Sequence, residues 1–274
     1  SGSDIRGTAV DSEKEPLDLT DEKVKAFASA FVVWLSEKTG KAPDKLVLAV
    51  GHDSRISAPR LKADVLESFV NAGAKVFDWG LASTPSMFMT TQEKITDTDG
   101  ALQLTASHHP YNKNGLKFFT KDGGLEGSDI SKIIEYASEG KSAPLKNGNV
   151  VKIDFMKTYS EGLVNKVRTA CGSDRPLEGF KIVVDAGNGA GGFYVDRVLK
   201  PLGANTEGSQ FLDPDGMFPN HIPNPENKTA MAAICDCVKS NNADLGLIFD
   251  TDVDRAGAVS SDGEEINRNR LIAL

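Results

Sequence analysis

Asp250-Thr251-Asp252-Val253-Asp254-Arg255 sets three carboxylates at alternate positions and ends them with a guanidinium. In extended backbone, side chains two apart share a side, so Asp250, Asp252 and Asp254 converge just beyond the apolar run Leu245-Gly246-Leu247-Ile248-Phe249. Two carboxylates about 5 Å apart repel by roughly 3 kcal/mol at an effective dielectric of about 20, so three ionised ones require a cation or partial protonation. The ligands are all oxygen, with no Cys or His among them, which favours Mg²⁺ over Zn²⁺. Two such Asp residues would more often be a solvated turn after a strand. Three on one parity, with Arg255, reverse that balance.

A second constellation is Thr105-Ala106-Ser107-His108-His109-Pro110, continued by Tyr111-Asn112-Lys113-Asn114-Gly115-Leu116-Lys117. A lone serine at a strand exit is usually a turn former. Ser107 instead has His108 beside it, Lys117 downstream and small neighbours, the base and cation that a nucleophilic or phosphate-carrying serine needs. The His-His-Pro order is expected to send the two imidazoles in divergent directions, so that at most one faces the site.

Asp4-Ile5-Arg6-Gly7 and Gly51-His52-Asp53-Ser54-Arg55 add positive charge, the latter directly after an apolar strand, where α/β folds place ligands. Each alone reads as a structural Asp–Arg pair. The glycine-rich stretch at 186–192 joins strand to helix but lacks both GxGxxG and a GKS or GKT ending, so a tight turn for close packing outweighs a nucleotide site.

These residues need a scaffold, and the chain alternates helix and strand. Val24, Phe27, Phe31 and Leu35 recur at helical spacing between the Thr20 cap signal and Gly40, and Leu61, Val65 and Phe69 mark a second helix ending at Gly73. Thr84 and Pro85 read as N-cap and first residue of a third. Strands are expected at 46–50, 75–78, 100–104 and 116–120, a helix at 128–138, and a Gly/Pro-containing linker at 139–150. Beyond it come a helix at 154–169, a strand at 181–185 running through the glycine turn into a helix up to 202, a helix at 227–240, the acid-bearing strand, and a hairpin return at 256–260. The pattern is that of layered α/β domains with largely parallel or mixed sheets. At 274 residues the chain has room for two of them.

With 39% hydrophobic and 26% charged residues and a net charge of −8, the composition argues against a nucleic-acid partner or an anionic membrane surface, so phosphate must be bound by local groups. No apolar stretch reaches the roughly 20 residues that span a bilayer. Ser1-Gly2-Ser3-Asp4 does not open a signal peptide. The expected compartment is cytoplasmic, with organellar import left open. Cys171, Cys235 and Cys237 read as reduced structural thiols.

Taken together, DIRG, GHDSR, TASHHP with its NGLK sequel, DAGNGAGG and DTDVDR stand in an order and spacing that resemble the α-D-phosphohexomutases, the family of phosphomannomutase, phosphoglucomutase and phosphoglucosamine mutase. The resemblance covers essentially the whole chain. It implies two layered α/β/α domains with mixed sheets, the first two of four: 1–148 with the serine loop, 149–262 with the metal loop, and 263–274 as a truncated start of the third. It implies that Ser107 carries the phosphoryl group, that Asp250, Asp252 and Asp254, with Ser107 through a phosphoryl oxygen, hold Mg²⁺, and that Arg6, His108, Lys117 and Arg255 line the same interdomain site. The implied activity is phosphoryl transfer between O1 and O6 of a hexose phosphate, with a hexose bisphosphate as intermediate and activator. The chain ends at Arg270-Leu271-Ile272-Ala273-Leu274 with no helix terminator, so it is expected to be a fragment. Its partners would be the hexose phosphate and the missing C-terminal domains, without which little activity is expected. Four positions in three motifs depart from the usual family pattern: His109 in place of Asn, His52 where arginine is common, and Thr251 and Val253 where many members have glycine. None removes an inferred catalytic group.

Two rivals remain at this level. A phosphatase of the haloacid-dehalogenase type would use Asp250 as nucleophile, and a non-catalytic sugar-phosphate binder would keep the fold without turnover.

Overall fold

Short apolar strands gather into two separate sheets in the computed structural model, which describes residues 3–11 and 15–273. The first unit, Ser1–Asp154, contains β1 (Asp4–Thr8), β2 (Val47–His52), β3 (Lys75–Leu81), β4 (Gly100–Leu104), β5 (Lys113–Thr120), β6 (Gly123–Gly124) and β7 (Asn149–Lys152). Their order is β1-β5-β4-β2-β3-β7, with β6 on β5. The run from β4 to β7 is parallel, whereas β5 pairs antiparallel with β1, β4 and β6, giving the expected mixed sheet.

Helices α1 (Asp21–Thr39), α2 (Ala58–Asn71), α3 (Thr84–Met89) and α4 (Gly127–Ser138) complete this unit. At the start of α1 the Thr20 hydroxyl accepts from Lys23 N–H, and Gly40 closes the helix in the left-handed region at φ 70°. Val24, Phe31 and Leu35 are fully buried, and Phe27 packs at the rim of the same core. The Phe31 ring lies 4.7 Å from that of Phe118 on β5. Burying each such side chain stabilises the unit by about 1.5–3 kcal/mol, so the core holds the sheet whose upper loops carry the chemistry.

Two expectations are corrected. The cap of α3 is Ser83, whose hydroxyl accepts from Ser86 N–H, and Thr84 is already helical. The linker expected at 139–150 is irregular through 148 but ends in β7, because Asn149–Lys152 pair in parallel with Lys75–Asp78 and extend the sheet. The division between units therefore falls after Asp154, later than 148/149.

The second unit, Phe155–Leu274, is built on β8 (Ile182–Asp185), β9 (Leu245–Phe249) and β10 (Ala256–Ser260), ordered β10-β9-β8. β8 and β9 are parallel, and β10 returns antiparallel as the hairpin pattern predicts. Around them lie α5 (Phe155–Cys171), α6 (Lys228–Asn241) and α7 (Arg268–Ala273). One apolar layer joins Val183, Ile248 and Val259 to Ile234 and Val238 of α6, and the other joins Ile182, Val184 and Phe249 to Val195 and Leu199. The helix expected from the glycine turn to 202 is helical from Ala190 to Leu199, opening as a 3₁₀ turn at Ala190–Gly192 and widening to a π turn at Val195–Leu199. The three cysteines are free, with Cys237 buried and Cys171 exposed. Of the expectations about the chain ends, those on Ser1, Gly2 and Leu274 lie outside the described residues. No helix among the described residues is long and apolar enough to cross a membrane.

Candidate active site

The serine loop begins where β4 ends. Thr105, Ala106 and Ser107 are buried, and Ser107 sits in the left-handed region at φ 51°. Its N–H donates to Thr105 Oγ1 at 2.8 Å, which fixes the bend, and its Oγ stands 3.3 Å from His108 Nδ1. That is long for a hydrogen bond, as is common where a catalytic contact tightens only with substrate. The two imidazoles do not diverge as expected. Their rings stack 5.2 Å apart at 24°, because the chain turns back on itself with His109 N–H donating to Ala106 O. Desolvation first, and then the positive charges of Arg6, His108, Arg55 and Lys113, lower the pKa of His109 and favour its neutral form.

A residue read from sequence only as half of an Asp–Arg pair turns out to hold this loop. The Arg55 side chain is fully buried against Asp53, with Nε 3.3 Å from the carboxylate. Its Nη1 donates to Pro110 O and Lys113 O at 2.7 and 2.8 Å, and its Nη2 donates to Ser107 O and His109 O at 2.5 and 2.6 Å. One guanidinium thus ties four carbonyls of the serine loop to the turn after β2, a use of its planar fork that no ammonium can copy. The only sequence signal was the position of GHDSR directly after a strand.

Arg6 lies on β1 opposite Gly115 of β5. A Cβ at Gly115 would come within 2.9 Å of Arg6 Cγ and 2.8 Å of Thr105 O, so glycine here makes room for the Arg6 stem beside the loop. Asp4 Oδ2 accepts from Arg6 Nε at 3.0 Å and Nη2 at 2.6 Å, fixing the guanidinium. Lys117 is half-buried on β5 between Asp4 and Gln103 in register, on the strand pair that leads into the loop. The first unit therefore carries Ser107 and His108 in the loop after β4, with Arg6 and Lys117 on the adjoining strands β1 and β5.

In the second unit, ligand atoms of Asp250, Asp252 and Asp254 all lie within 4.8 Å of one another. Asp250 and Asp252 are fully buried, and Asp254 is exposed. Arg255 N–H donates to Asp250 Oδ1 at 3.1 Å, and Val253 N–H donates to Asp250 O at 3.2 Å, curling the loop over its first ligand. The glycine-rich stretch packs closely, as read from sequence, and its neighbour is this loop. A Cβ at Gly189 would stand 2.6 Å from Thr251 O and 2.8 Å from Thr251 Cα, and Ala190 N–H donates to Thr251 O at 2.8 Å. The oxygens suit Mg²⁺: at metal–oxygen distances of about 2.1 Å, opposed ligands of an octahedron stand about 4.2 Å apart, close to the spread of this cluster. The residues that could hold the ion are thus Asp250, Asp252 and Asp254.

Val253 occupies the left-handed region at φ 66° while its side chain is buried beside Val184 and Phe249. A β-branched residue is strained there by roughly 1–2 kcal/mol. Val253→Gly is therefore expected to cost less than about 2 kcal/mol in urea unfolding, because relief of strain offsets part of the lost burial. A cost well above that would show the backbone to be unstrained.

Family profiles described as phosphoglucomutase/phosphomannomutase α/β/α domain I and domain II match residues 1–143 and 157–263. Among relatives, a phosphoglucomutase of Neisseria meningitidis serogroup A is 31% identical over 258 residues, covering 93% of this chain and 53% of the relative. A phosphomannomutase of Escherichia coli is 33% identical over 243 residues, covering 85% and 51%. The crystal structure of a phosphoglucomutase/phosphomannomutase family protein from Burkholderia thailandensis superposes with a TM-score of 0.83 at 27% identity, covering 98% of this chain and 56% of that one. The chain spans about half the length of the curated relatives it matches. With both domain profiles matched in order over the two units that carry the serine and acidic loops, the chain belongs to the phosphoglucomutase/phosphomannomutase family, the α-D-phosphohexomutases, and comprises its N-terminal domains.

Proposed function

We propose that this chain is the N-terminal half of a phosphohexomutase that moves a phosphoryl group between O1 and O6 of a hexose phosphate by way of phosphorylated Ser107 and a hexose bisphosphate. In the forward half-reaction the free sugar hydroxyl attacks phosphorus as the bond from phosphorus to Ser107 Oγ breaks in line. His108 Nδ1, 3.3 Å from that oxygen, returns a proton to it, and Lys117 takes the proton of the attacking hydroxyl. After the bisphosphate reorients, its other phosphoryl group passes to Ser107 and the protons move back. Arg6 and Arg255 offset the charge that gathers on the phosphoryl oxygens, and Lys117 adds to them once it has taken its proton. A divalent cation held by Asp250, Asp252 and Asp254 supplies further neutralisation of those oxygens. The groups that choose among glucose, mannose and amino-sugar phosphates are assigned to the part of the relatives that this chain does not span. Three free cysteines suit the reducing cytoplasm, where we place the reaction.

The observation that carries this reading is Ser107: a buried serine held in a left-handed bend beside an imidazole nitrogen has a geometry that a solvated turn does not need. The test is the intact mass of the protein after exposure to a hexose bisphosphate and Mg²⁺. One phosphoryl increment is expected in the wild type and none in Ser107→Ala. An increment that persists in the variant and is released by hydroxylamine would instead mark an acyl phosphate on Asp250, the phosphatase reading.

A further inference from the structure

Beneath the glycine-rich turn lies a second polar group that the reaction does not use. Asp185 ends β8 and is fully buried, and the His221 side chain facing it is 1% exposed. His221 Nε2 stands 3.1 and 3.0 Å from the two oxygens of Asp185, and Nδ1 stands 3.0 Å from Ile222 O. Every partner of the ring is an acceptor. A neutral imidazole has a single N–H, so one of these contacts would set lone pair against lone pair. The arrangement is satisfied when both nitrogens carry protons.

The same carboxylate accepts from Gly187 N–H at 2.9 Å and from Gln210 Nε2 at 2.7 Å. A neighbouring strap runs from Asn220 Nδ2 to Asn188 Oδ1 at 2.8 Å and from Asn188 Nδ2 to Asp213 O at 2.9 Å. Gly187 and Asn188 lead directly to Gly189 and Ala190, which seat the Thr251 backbone between Asp250 and Asp252. The connection is continuous: ring, carboxylate, glycine turn, acidic loop.

We propose that Asp185 and His221 form a buried carboxylate–imidazolium pair that positions the acidic loop for its cation by fixing the glycine turn on which the loop rests. This inference rests on the cation site proposed above. Neither residue is a ligand. Outer partners that orient a metal site commonly change its affinity by about 10–100-fold when removed.

Burial by itself would lower the pKa of His221, but the Asp185 hydrogen bond and charge, with the Ile222 carbonyl, outweigh it and raise the pKa. From α6, Cys237 feels the Asp185 charge: its thiol is pushed up by burial and then by Asp185. A raised histidine pKa contributes stability in full below the unfolded value of about 6.5, and that contribution is lost as pH climbs through the folded value.

The test uses Mg²⁺ itself, titrated calorimetrically into the wild type, His221→Ala and Asp185→Asn at neutral pH, together with the ¹⁵N spectrum of the wild-type ring. Expected are two protonated ring nitrogens, and Mg²⁺ binding weakened at least about tenfold in both variants. The double variant Asp185→Asn/His221→Gln, a neutral hydrogen-bonded pair, is expected to recover part of the affinity, which a loss of bulk stability would not produce. Asp185→Asn keeps an acceptor for Gly187 N–H and carries the comparison if His221→Ala does not fold. Wild-type affinity in a folded variant, or a singly protonated ring, overturns this inference alone. Absence of Mg²⁺ binding by the wild type overturns the cation site and this inference with it.

Discussion

Arg55→Lys is expected to slow phosphorylation of Ser107 by about a hundredfold, the scale set by displacing a reacting group by about 1 Å. Lysine preserves the charge opposite Asp53 but brings one nitrogen where the guanidinium brings two terminal ones, so at most part of the four-carbonyl set of Ser107, His109, Pro110 and Lys113 stays bonded. Carbonyls left without donors in a buried setting cost about 1–3 kcal/mol each, and the serine loop relieves that cost by opening to water. The first unit should therefore also lose about 2–4 kcal/mol in urea unfolding, less than the sum over carbonyls because His109 and Pro110 are exposed enough to be rehydrated. The rate is read from the growth of the phosphorylated mass with time. A lysine variant that takes up phosphoryl at the wild-type rate would show that the fork does not set the position of Ser107.

Gly189→Ala carries the second large effect, at the other loop. The added methyl would stand 2.6 Å from Thr251 O and 2.8 Å from Thr251 Cα, both backbone atoms of the segment that joins two candidate ligands. Backbone cannot swing aside as a side-chain tip can, so the acidic loop must shift as a piece, and Mg²⁺ tolerates little departure from octahedral geometry. Mg²⁺ affinity is expected to fall at least about tenfold, with overpacking costing about 1–3 kcal/mol of stability. Gly162 is the matched control: it lies within α5, and a Cβ there meets nothing within 4 Å. Gly162→Ala should stabilise the chain by about 0.5–1 kcal/mol and leave Mg²⁺ binding unchanged. Equal Mg²⁺ affinities in the two variants would remove the glycine turn from the account of the cation site.

What sequence could reveal here was local. The alternation of Asp250, Asp252 and Asp254 is a period-two signal and the three do form one cluster, but they do so in a turn after β9, with Val253 at φ 66° and its N–H on Asp250 O, and not in the extended backbone that the alternation suggests. Ser107 with His108 was equally visible, since neighbours in sequence remain neighbours in space. Arg55 was not, because its acceptors are more than fifty positions away and nothing in GHDSR names them. The same holds for His221, which meets Asp185 across 36 positions. Ser83 and Thr84 show a finer failure: both can cap, and only the Ser86 N–H decides between them. The linker reading at 139–150 runs into the start of β7, a four-residue edge strand whose partner in β3 lies more than seventy positions away and could not be read from composition.

Ser107 and Val253 share a trait that bears on how such loops age through many cycles. Both are non-glycine residues held at positive φ, at 51° and 66°, one in the serine loop and one in the acidic loop. Were either position glycine, the chain could drift to several conformations whenever its ligand departed, and would have to be gathered again at the next encounter. A side chain at each bend narrows that choice beforehand. In the proposed reaction the ordering entropy of these segments would thus be surrendered once, when the protein folds, and would not recur as a barrier at every turnover.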